Sequence, residues 1–167
     1  MNTLLVCRFE DTAGARRALG ALRRLAEDGV IEVDDAALVE WPRRARKPST
    51  ETLGSLTGPG GLWGGSWGVL LGLIVLVPIA GPVFGAAAGA FAGTLADIGV
   101  DEGFVSGVRE LVTPGTSALF VLCGAADADR LDGAVRSDRG ATIRCRISRE
   151  HEERLLTALG EERPGRA

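Results

Sequence analysis

The sequence predicts an α+β protein: a ferredoxin-like split βαβ sheet, interrupted between strands 2 and 3 by a glycine-zipper helical hairpin. Two observations predict it. The order strand, helix, strand occurs near the N-terminus and again after residue 115, and no charged side chain occurs in residues 52–96. The expected segments are 1–42 (first βαβ half), 43–60 (basic and Gly-Pro linker), 61–100 (apolar hairpin), 101–115 (short amphipathic helix), 116–148 (second βαβ half) and 149–167 (C-terminal amphipathic helix and tail).

The first half begins with TLLVCRF, residues 3–9, whose branched and aromatic side chains predict a strand. We expect the next helix to be capped by Asp11 or Thr12 and to end at Gly29. Its apolar residues recur at helical spacing, so one face is expected to pack on the sheet. Residues 30–41 alternate in part and predict the second strand.

The second half repeats this order. Residues 116–124 predict a third strand that is apolar on both faces, and residues 127–137 predict a helix that begins at Asp127. Residues 141–148 alternate strictly, which is typical of a half-buried strand, and residues 149–162 predict a last amphipathic helix. The strand order expected for this fold is 4-1-3-2. An apolar third strand leaves sheet surface in need of a partner, which favours oligomerisation.

A further short helix is expected just before the third strand, in DEGFVSGVRELVTPG. Asp101 would cap it, and Pro114 and Gly115 would end it. The apolar residues expected to hold it down are Phe104, Val105, Val108 and Leu111.

The insertion itself contains a nearly pure apolar stretch, residues 62–80. A bilayer core of about 30 Å requires about 20 helical residues, so this stretch is just long enough to span one. Residues 83–98 are apolar but shorter, and Gly81-Pro82 between the two stretches predicts a turn. Together they predict a helical hairpin.

Glycines recur at every fourth position along both stretches. Each costs about 1 kcal/mol relative to alanine in a helix interior. Close contact between helices in lipid offsets that cost, because only small residues permit it. A soluble helix pair and a flexible loop remain as alternatives, although GVLLGLIVLV is too apolar to be left in water. The glycines expected to carry helix packing and oligomerisation are Gly64, Gly68, Gly72, Gly81, Gly85, Gly89 and Gly93.

The flanks of the insertion favour a membrane. Basic residues near a membrane segment stay on the cytoplasmic side and contact anionic headgroups, and tryptophan is enriched at the interface. The residues expected to set this orientation are Arg43, Arg44, Arg46, Lys47, Trp63 and Trp67. A hairpin returns to its starting side, which would leave both halves of the sheet in the cytoplasm. The alternative is a charged surface linker with two tryptophans in a core.

Little in the chain indicates chemistry. GGSWG matches the G-x-S-x-G motif around Ser66, but TGPGG before it is no strand and the chain is too short for that hydrolase fold. No GxGxxG or GK[ST] motif is present, so no phosphate cofactor is expected. With one histidine and no CxxC pair, no metal is expected either. The net charge of −3 predicts no nucleic-acid partner.

The three cysteines, Cys7, Cys123 and Cys145, are expected to be small buried hydrophobes, with a redox or metal role as the alternative. The predicted strand order places their strands side by side, and Cys7 and Cys145 can then share a face.

Residues 85–123, GAAAGAFAGTLADIGVDEGFVSGVRELVTPGTSALFVLC, resemble the signature of the prokaryotic predicted membrane proteins called domain of unknown function 1269. The resemblance extends over about residues 3–160 and implies no activity. The chain departs from the family pattern in its arginine-rich stretch 43–47 and in its cysteines. The matching residues are Ala96, Asp97, Ile98, Gly99, Val100, Asp101, Phe104, Pro114, Gly115, Ser117, Ala118, Leu119 and Phe120.

These observations predict a non-enzymatic, self-assembling, membrane-associated protein without cofactors, whose partners are its own copies and the lipid bilayer. One alternative is a soluble cytoplasmic homo-oligomer, a ring, cage or filament, with the hairpins as a shared core. The other is a sensor that binds a small ligand on the open sheet face, which rests on fold analogy alone.

Overall fold

The computed structural model describes residues 2–53, 102–137 and 140–147. They form one five-stranded antiparallel sheet and three helices, which confirms the α+β class. The predicted hairpin and the predicted C-terminal helix lie outside these residues. The strands are β1 (Asn2–Phe9), β2 (Val33–Glu40), β3 (Ser49–Thr52), β4 (Ser117–Gly124) and β5 (Ala141–Ile147), and the helices are α1 (Gly14–Glu27), α2 (Glu102–Leu111) and α3 (Ala125–Ser137).

The strands follow the order β3-β2-β4-β1-β5 across the sheet. Strand β4 comes after the insertion in sequence, yet it pairs with β1 on one side and β2 on the other, with Phe120 opposite both Val6 and Ala37. The four long strands therefore have the predicted order 4-1-3-2, and the three cysteine-bearing strands are neighbours, as expected. The two halves of the chain share a single hydrogen-bonded ladder.

Strand β3 is an addition that the sequence analysis did not include, since it lies within the predicted linker 43–60. It pairs with the end of β2, with Thr50 opposite Val39, and Leu53 N–H donates to the Ala36 carbonyl at 2.9 Å. Its sequence, STET, has no apolar residue and gives no alternation by which a strand is recognised. Strand β3 is recognised only by its hydrogen-bonded pairing with β2.

One face of the sheet carries helices α1 and α3. Helix α1 begins at Gly14 after an Ala13 N-cap, and Asp11 Oδ1 accepts the Ala13 N–H at 2.8 Å. The helix ends at Glu27 with Asp28 as its C-cap, and Gly29 follows as the predicted closing residue, with a φ of 68° in the left-handed region that glycine tolerates. The buried helix residues in this core are Ala15, Leu19, Leu22, Ala128, Leu131 and Val135, and the strand residues are Leu5, Cys7, Phe9, Val33, Ala36, Leu38, Leu119, Val121 and Cys123.

The other face is covered by α2, which corrects the expectation that strand β4 leaves sheet surface in need of a partner. Phe104, Val105 and Val108 are buried as predicted, but Val112 completes the set and Leu111 is only half-buried. A Cβ on Gly107 would collide with Ile143 Cδ1, so the helix lies close to β5. The strand residues in this second core are Leu4, Val6, Ala37, Val39, Ala118, Phe120, Leu122, Cys145 and Ile147.

Among the described residues, no helix combines the length and the hydropathy that crossing a bilayer requires.

Replacing Phe104 with alanine tests whether α2 covers the second face. Phe104 is 3% exposed in the core beneath α2, and removal of such a ring costs about 3–5 kcal/mol of unfolding free energy. Val30→Ala is the control, because Val30 is 48% exposed and its loss should change stability by less than about 0.5 kcal/mol. Urea unfolding of the full chain measures both. Equal costs for the two variants would mean that α2 does not pack on the sheet.

Candidate functional site

The loop between β2 and β3, residues 41–48, is held in one shape by its own hydrogen bonds and by bonds to the turn before β4. The Trp41 indole N–H donates to the Ala45 carbonyl at 3.1 Å, and Ala45 N–H donates to the Pro42 carbonyl at 2.9 Å. Trp41 also exchanges backbone bonds with Gly115 at 2.6 Å and Thr116 at 3.0 Å. These hydrogen bonds therefore give the loop a defined conformation and attach it to the sheet.

Four cations lie on this loop, and all four are exposed. Within the part of the chain that the structure describes, none of them forms an ion pair, whereas Arg16, Arg17 and Arg144 each contact a carboxylate. The loop contains no acidic residue. Among the described residues its positive charge is therefore not compensated by an ion pair, and such a field attracts anions. The four cations are Arg43, Arg44, Arg46 and Lys47.

Arg43 lies against the turn that precedes β4. A Cβ on Gly115 would be 2.8 Å from Arg43 Cγ, and Gly115 has a φ of 95°, so a side chain is disfavoured there for both reasons. Thr116 closes the same turn: Thr113 N–H donates to Thr116 Oγ1 at 3.0 Å, and that hydroxyl donates to the Thr113 carbonyl at 2.7 Å. The basic loop thus rests on a second, internally bonded turn.

Ser117, the first residue of β4, connects that turn to the start of α1. Its buried hydroxyl donates to the Asp11 carbonyl at 2.6 Å and accepts the Ala15 N–H at 3.0 Å. Ala13 at the N-cap has no side chain that can bond the first free N–H groups of the helix. Ser117 supplies that cap from a strand more than 100 residues away in sequence, which nothing in the sequence pattern indicates.

Two exposed arginines fix elements to each other. Arg16 on α1 contacts Glu40 at 2.9 Å and Glu51 on β3 at 3.0 Å, and hydrogen bonding to Glu40 first, then to Glu51, raises the pKa of Arg16. Arg144 on β5 contacts Asp129 and Asp132 of α3 at 2.5 Å each, and these bonds raise its pKa. Both clusters are ion pairs between neighbouring elements.

Cys7 and Cys123 lie in one core and Cys145 lies in the other. Cys7 lies in the core under α1 and α3 and Cys145 in the core under α2, so the expectation that they share a face is wrong. The register explains it: Cys145 is opposite Leu4, three residues from Cys7, and alternate residues face opposite sides. No group of potential metal ligands occurs among the described residues.

A shallow pocket of about 420 Å³ lies at the opposite end of the sheet, where α1 ends and α3 begins. Two of its charged side chains, Arg130 and Asp127, already have partners. Arg130 donates to the Val30 carbonyl at 2.9 Å and to Asp127 at 3.1 Å, and Asp127 accepts the Glu32 N–H at 3.3 Å. The open sheet face that a ligand sensor would use is occupied by α2.

A comparison with models of protein families shows which family the chain belongs to. The model of the family described as Protein of unknown function (DUF1269) matches residues 61–160, more than half of the chain. The chain belongs to this DUF1269 family. The match begins after β3, so the first half of the sheet lies outside it. No curated protein and no solved structure matches the chain.

The described part of the DUF1269 signature builds the sheet. Phe104 anchors α2, Pro114 and Gly115 form the turn under the basic loop, and Ser117 caps α1. Ala118, Leu119 and Phe120 fill both cores from β4. The signature residues 96–101 lie outside the described residues, as do Trp63, Trp67 and the seven glycines. The sequence pattern identified the four loop cations. It did not identify Trp41, which holds the loop to the turn before β4, or Ser117, which connects that turn to α1.

Ser117→Ala tests the cap on α1. The variant leaves the buried Ala15 N–H without its acceptor, which should cost about 1–3 kcal/mol of unfolding free energy. Ser106→Ala makes the same chemical change at an exposed position of α2 and should be nearly neutral. Chemical denaturation of the full chain compares them, and an equal effect would show that Ser117 is not a cap.

The native thiols should be unreactive. Burial, with a smaller contribution from Asp132, raises the pKa of Cys7 to about 12, and burial with Asp127 does the same for Cys123. At pH 8 their thiolate fraction is about a thousandfold below that of an ordinary cysteine. Since the folded pKa exceeds the unfolded one, the stability linked to each thiol is complete below pH 9 and is lost as the pH rises toward 12.

Maleimide labelling of the full chain at pH 8 checks this. The native protein should label only after urea is added, because all three cysteines are buried. Rapid labelling of a native cysteine would contradict the described packing.

Proposed function

We propose that this DUF1269 protein is a non-enzymatic, self-assembling protein of the membrane. Its cytoplasmic domain is ferredoxin-like, and residues 61–100 form a glycine-zipper hairpin in the bilayer. The observation that carries the proposal is the placement of β4 between β1 and β2. The bilayer and further copies of the chain are its partners.

Strand β4 comes after the insertion, while β1 and β2 come before it. A shared ladder requires both halves to lie on the same side of any membrane. A segment that enters the bilayer from this domain must therefore return to the same side. Residues 62–80, as a helix, would measure about 29 Å, close to the hydrocarbon thickness. This supports a hairpin and argues against a single span.

The strand order also supports the ferredoxin-like assignment. Without β3 the sheet has the order β5-β1-β4-β2, and α1 and α3 share one face. Relative to a four-stranded ferredoxin-like sheet, β3 is an additional edge strand and α2 is an additional layer on the second face. Both additions flank the insertion, so they are the elements that would connect the domain to the hairpin.

Membrane insertion and sidedness are tested together. The full chain should stay in the membrane through a carbonate wash and leave it only in detergent.

Ala21→Cys on α1 and Ala134→Cys on α3 place an exposed thiol before and after the insertion. An impermeant maleimide should label both from the same side of sealed vesicles. Labelling from opposite sides would overturn the hairpin. A large particle in the supernatant would mean that the hairpins form the core of a soluble homo-oligomer.

Self-assembly is tested on the glycines. Gly85→Leu and Gly89→Leu place bulk on the face that small residues keep flat, so they should disrupt the assembly in detergent. Ala86→Leu adds bulk off that face and serves as the matched control. Light scattering or cross-linking gives the mass, and equal effects of the three variants would contradict packing through the glycines.

A further inference from the structure

The two ends of the sheet differ in charge. The basic loop 41–48 lies at the end where β2 finishes and β4 begins, since Glu40 is opposite Ser117. The turn between α1 and β2 lies at the other end, where Val33 is opposite Cys123. Four exposed acids lie on this turn and at its borders, Glu27, Asp28, Glu32 and Asp34, whereas one arginine of α3, Arg130, binds the Val30 carbonyl there. The domain therefore has a basic end and an acidic end.

Acids near the basic loop do not cancel its charge, because other arginines engage them. Asp11 pairs with Arg17 at 2.7 Å, and Glu40 pairs with Arg16 at 2.9 Å. Glu10 lies 3.8 Å from Arg8. Glu51 is a second carboxylate on Arg16, at 3.0 Å. The three arginines and the four loop cations therefore oppose four acids, which leaves a net charge of +3 on these described residues.

The two ends are far enough apart that each interacts with an external charged surface independently of the other. An eight-residue strand is about 27 Å long, whereas the Debye length is about 8 Å at physiological ionic strength. An anionic surface at the basic end is thus attracted by the loop and hardly repelled by the distant acids. The same surface at the acidic end would be repelled. Because Trp41 and Gly115 hold the loop to the sheet, little ordering is needed on contact.

We propose that loop 41–48 is a docking surface for anionic phospholipid headgroups, and that it orients the domain with this end toward the bilayer and the α1–β2 turn away from it. This inference rests on the proposed membrane insertion. Strand β3 runs away from the loop, but residues 54–61 of the linker can span up to about 28 Å. The chain is long enough for the apolar segment to begin beside the loop.

The test measures the distance of each end from the bilayer. Ser49→Cys places an exposed thiol at the basic end, and Val30→Cys places one at the acidic end. Each variant of the full chain is labelled with a donor dye and reconstituted into vesicles with acceptor-labelled headgroups. In phosphatidylcholine–phosphatidylglycerol vesicles, energy transfer should be much greater from position 49 than from position 30. In phosphatidylcholine alone this difference should shrink.

Charge variants in the same vesicles identify the docking surface. Arg44→Gln with Arg46→Gln should weaken docking about 30-fold and reduce the difference between the two labels. Arg23→Gln with Arg24→Gln removes the same charge from exposed positions of α1 near the acidic end and should leave the difference intact. Equal effects of the two pairs, or greater transfer from position 30, would overturn the proposal.

Two further experiments distinguish headgroup docking from binding of free phosphate and from insertion of the hairpin. Inorganic phosphate, at an ionic strength matched with sodium chloride, should not abolish the difference; if it does, the loop binds free phosphate and not a headgroup surface. Carbonate-resistant retention in neutral vesicles reports the hairpin independently of the loop. Retention without a preferred orientation would overturn the docking surface alone, whereas loss of retention would overturn the proposed function.

Discussion

The pairing of β4 with both β1 and β2 is the constraint on which the rest of the structure depends. It joins two parts of the chain that are separated by an insertion of nearly 50 residues, and it buries the centre of the sheet on both faces. Closing such a long loop costs entropy, although the cost grows only slowly with loop length. The many hydrogen bonds and apolar contacts of β4 offset it, and they bring both ends of the insertion to one domain.

Two groups of cations differ in their surroundings. Arg16 and Arg144 pair with carboxylates of neighbouring elements, Arg17 pairs with Asp11 before α1, and Arg130 pairs with Asp127 of its own helix and binds the Val30 carbonyl. Exposed pairs of this kind add little to stability, but they set the relative position of helices and strands. The cations of the basic loop have no such task within the described residues. Their backbone is held in place while their side chains remain in solvent, which suits contact with an external anionic surface.

The DUF1269 signature gains a physical meaning where the structure describes it. Its residues around 114–120 form a tight turn, a buried hydroxyl that caps a distant helix, and the most buried strand. These are requirements of folding, and none of them supplies a nucleophile, a proton carrier or a metal ligand. This part of the signature therefore reports on the architecture of the sheet.

The sequence by itself determined the α+β class and the glycine that follows α1, because periodicity and glycine chemistry act over a few residues. The order of the four long strands was expected from the repeated strand, helix, strand pattern. It also located the basic loop. Only the tertiary structure decided that β3 exists, that α2 covers the second face, and that Cys7 and Cys145 face opposite sides. It alone decided that Ser117 caps α1. Apart from β3, which pairs with the nearby β2, each of these depends on a partner far away in sequence. Local patterns contain no record of which distant strand or helix end a residue will meet.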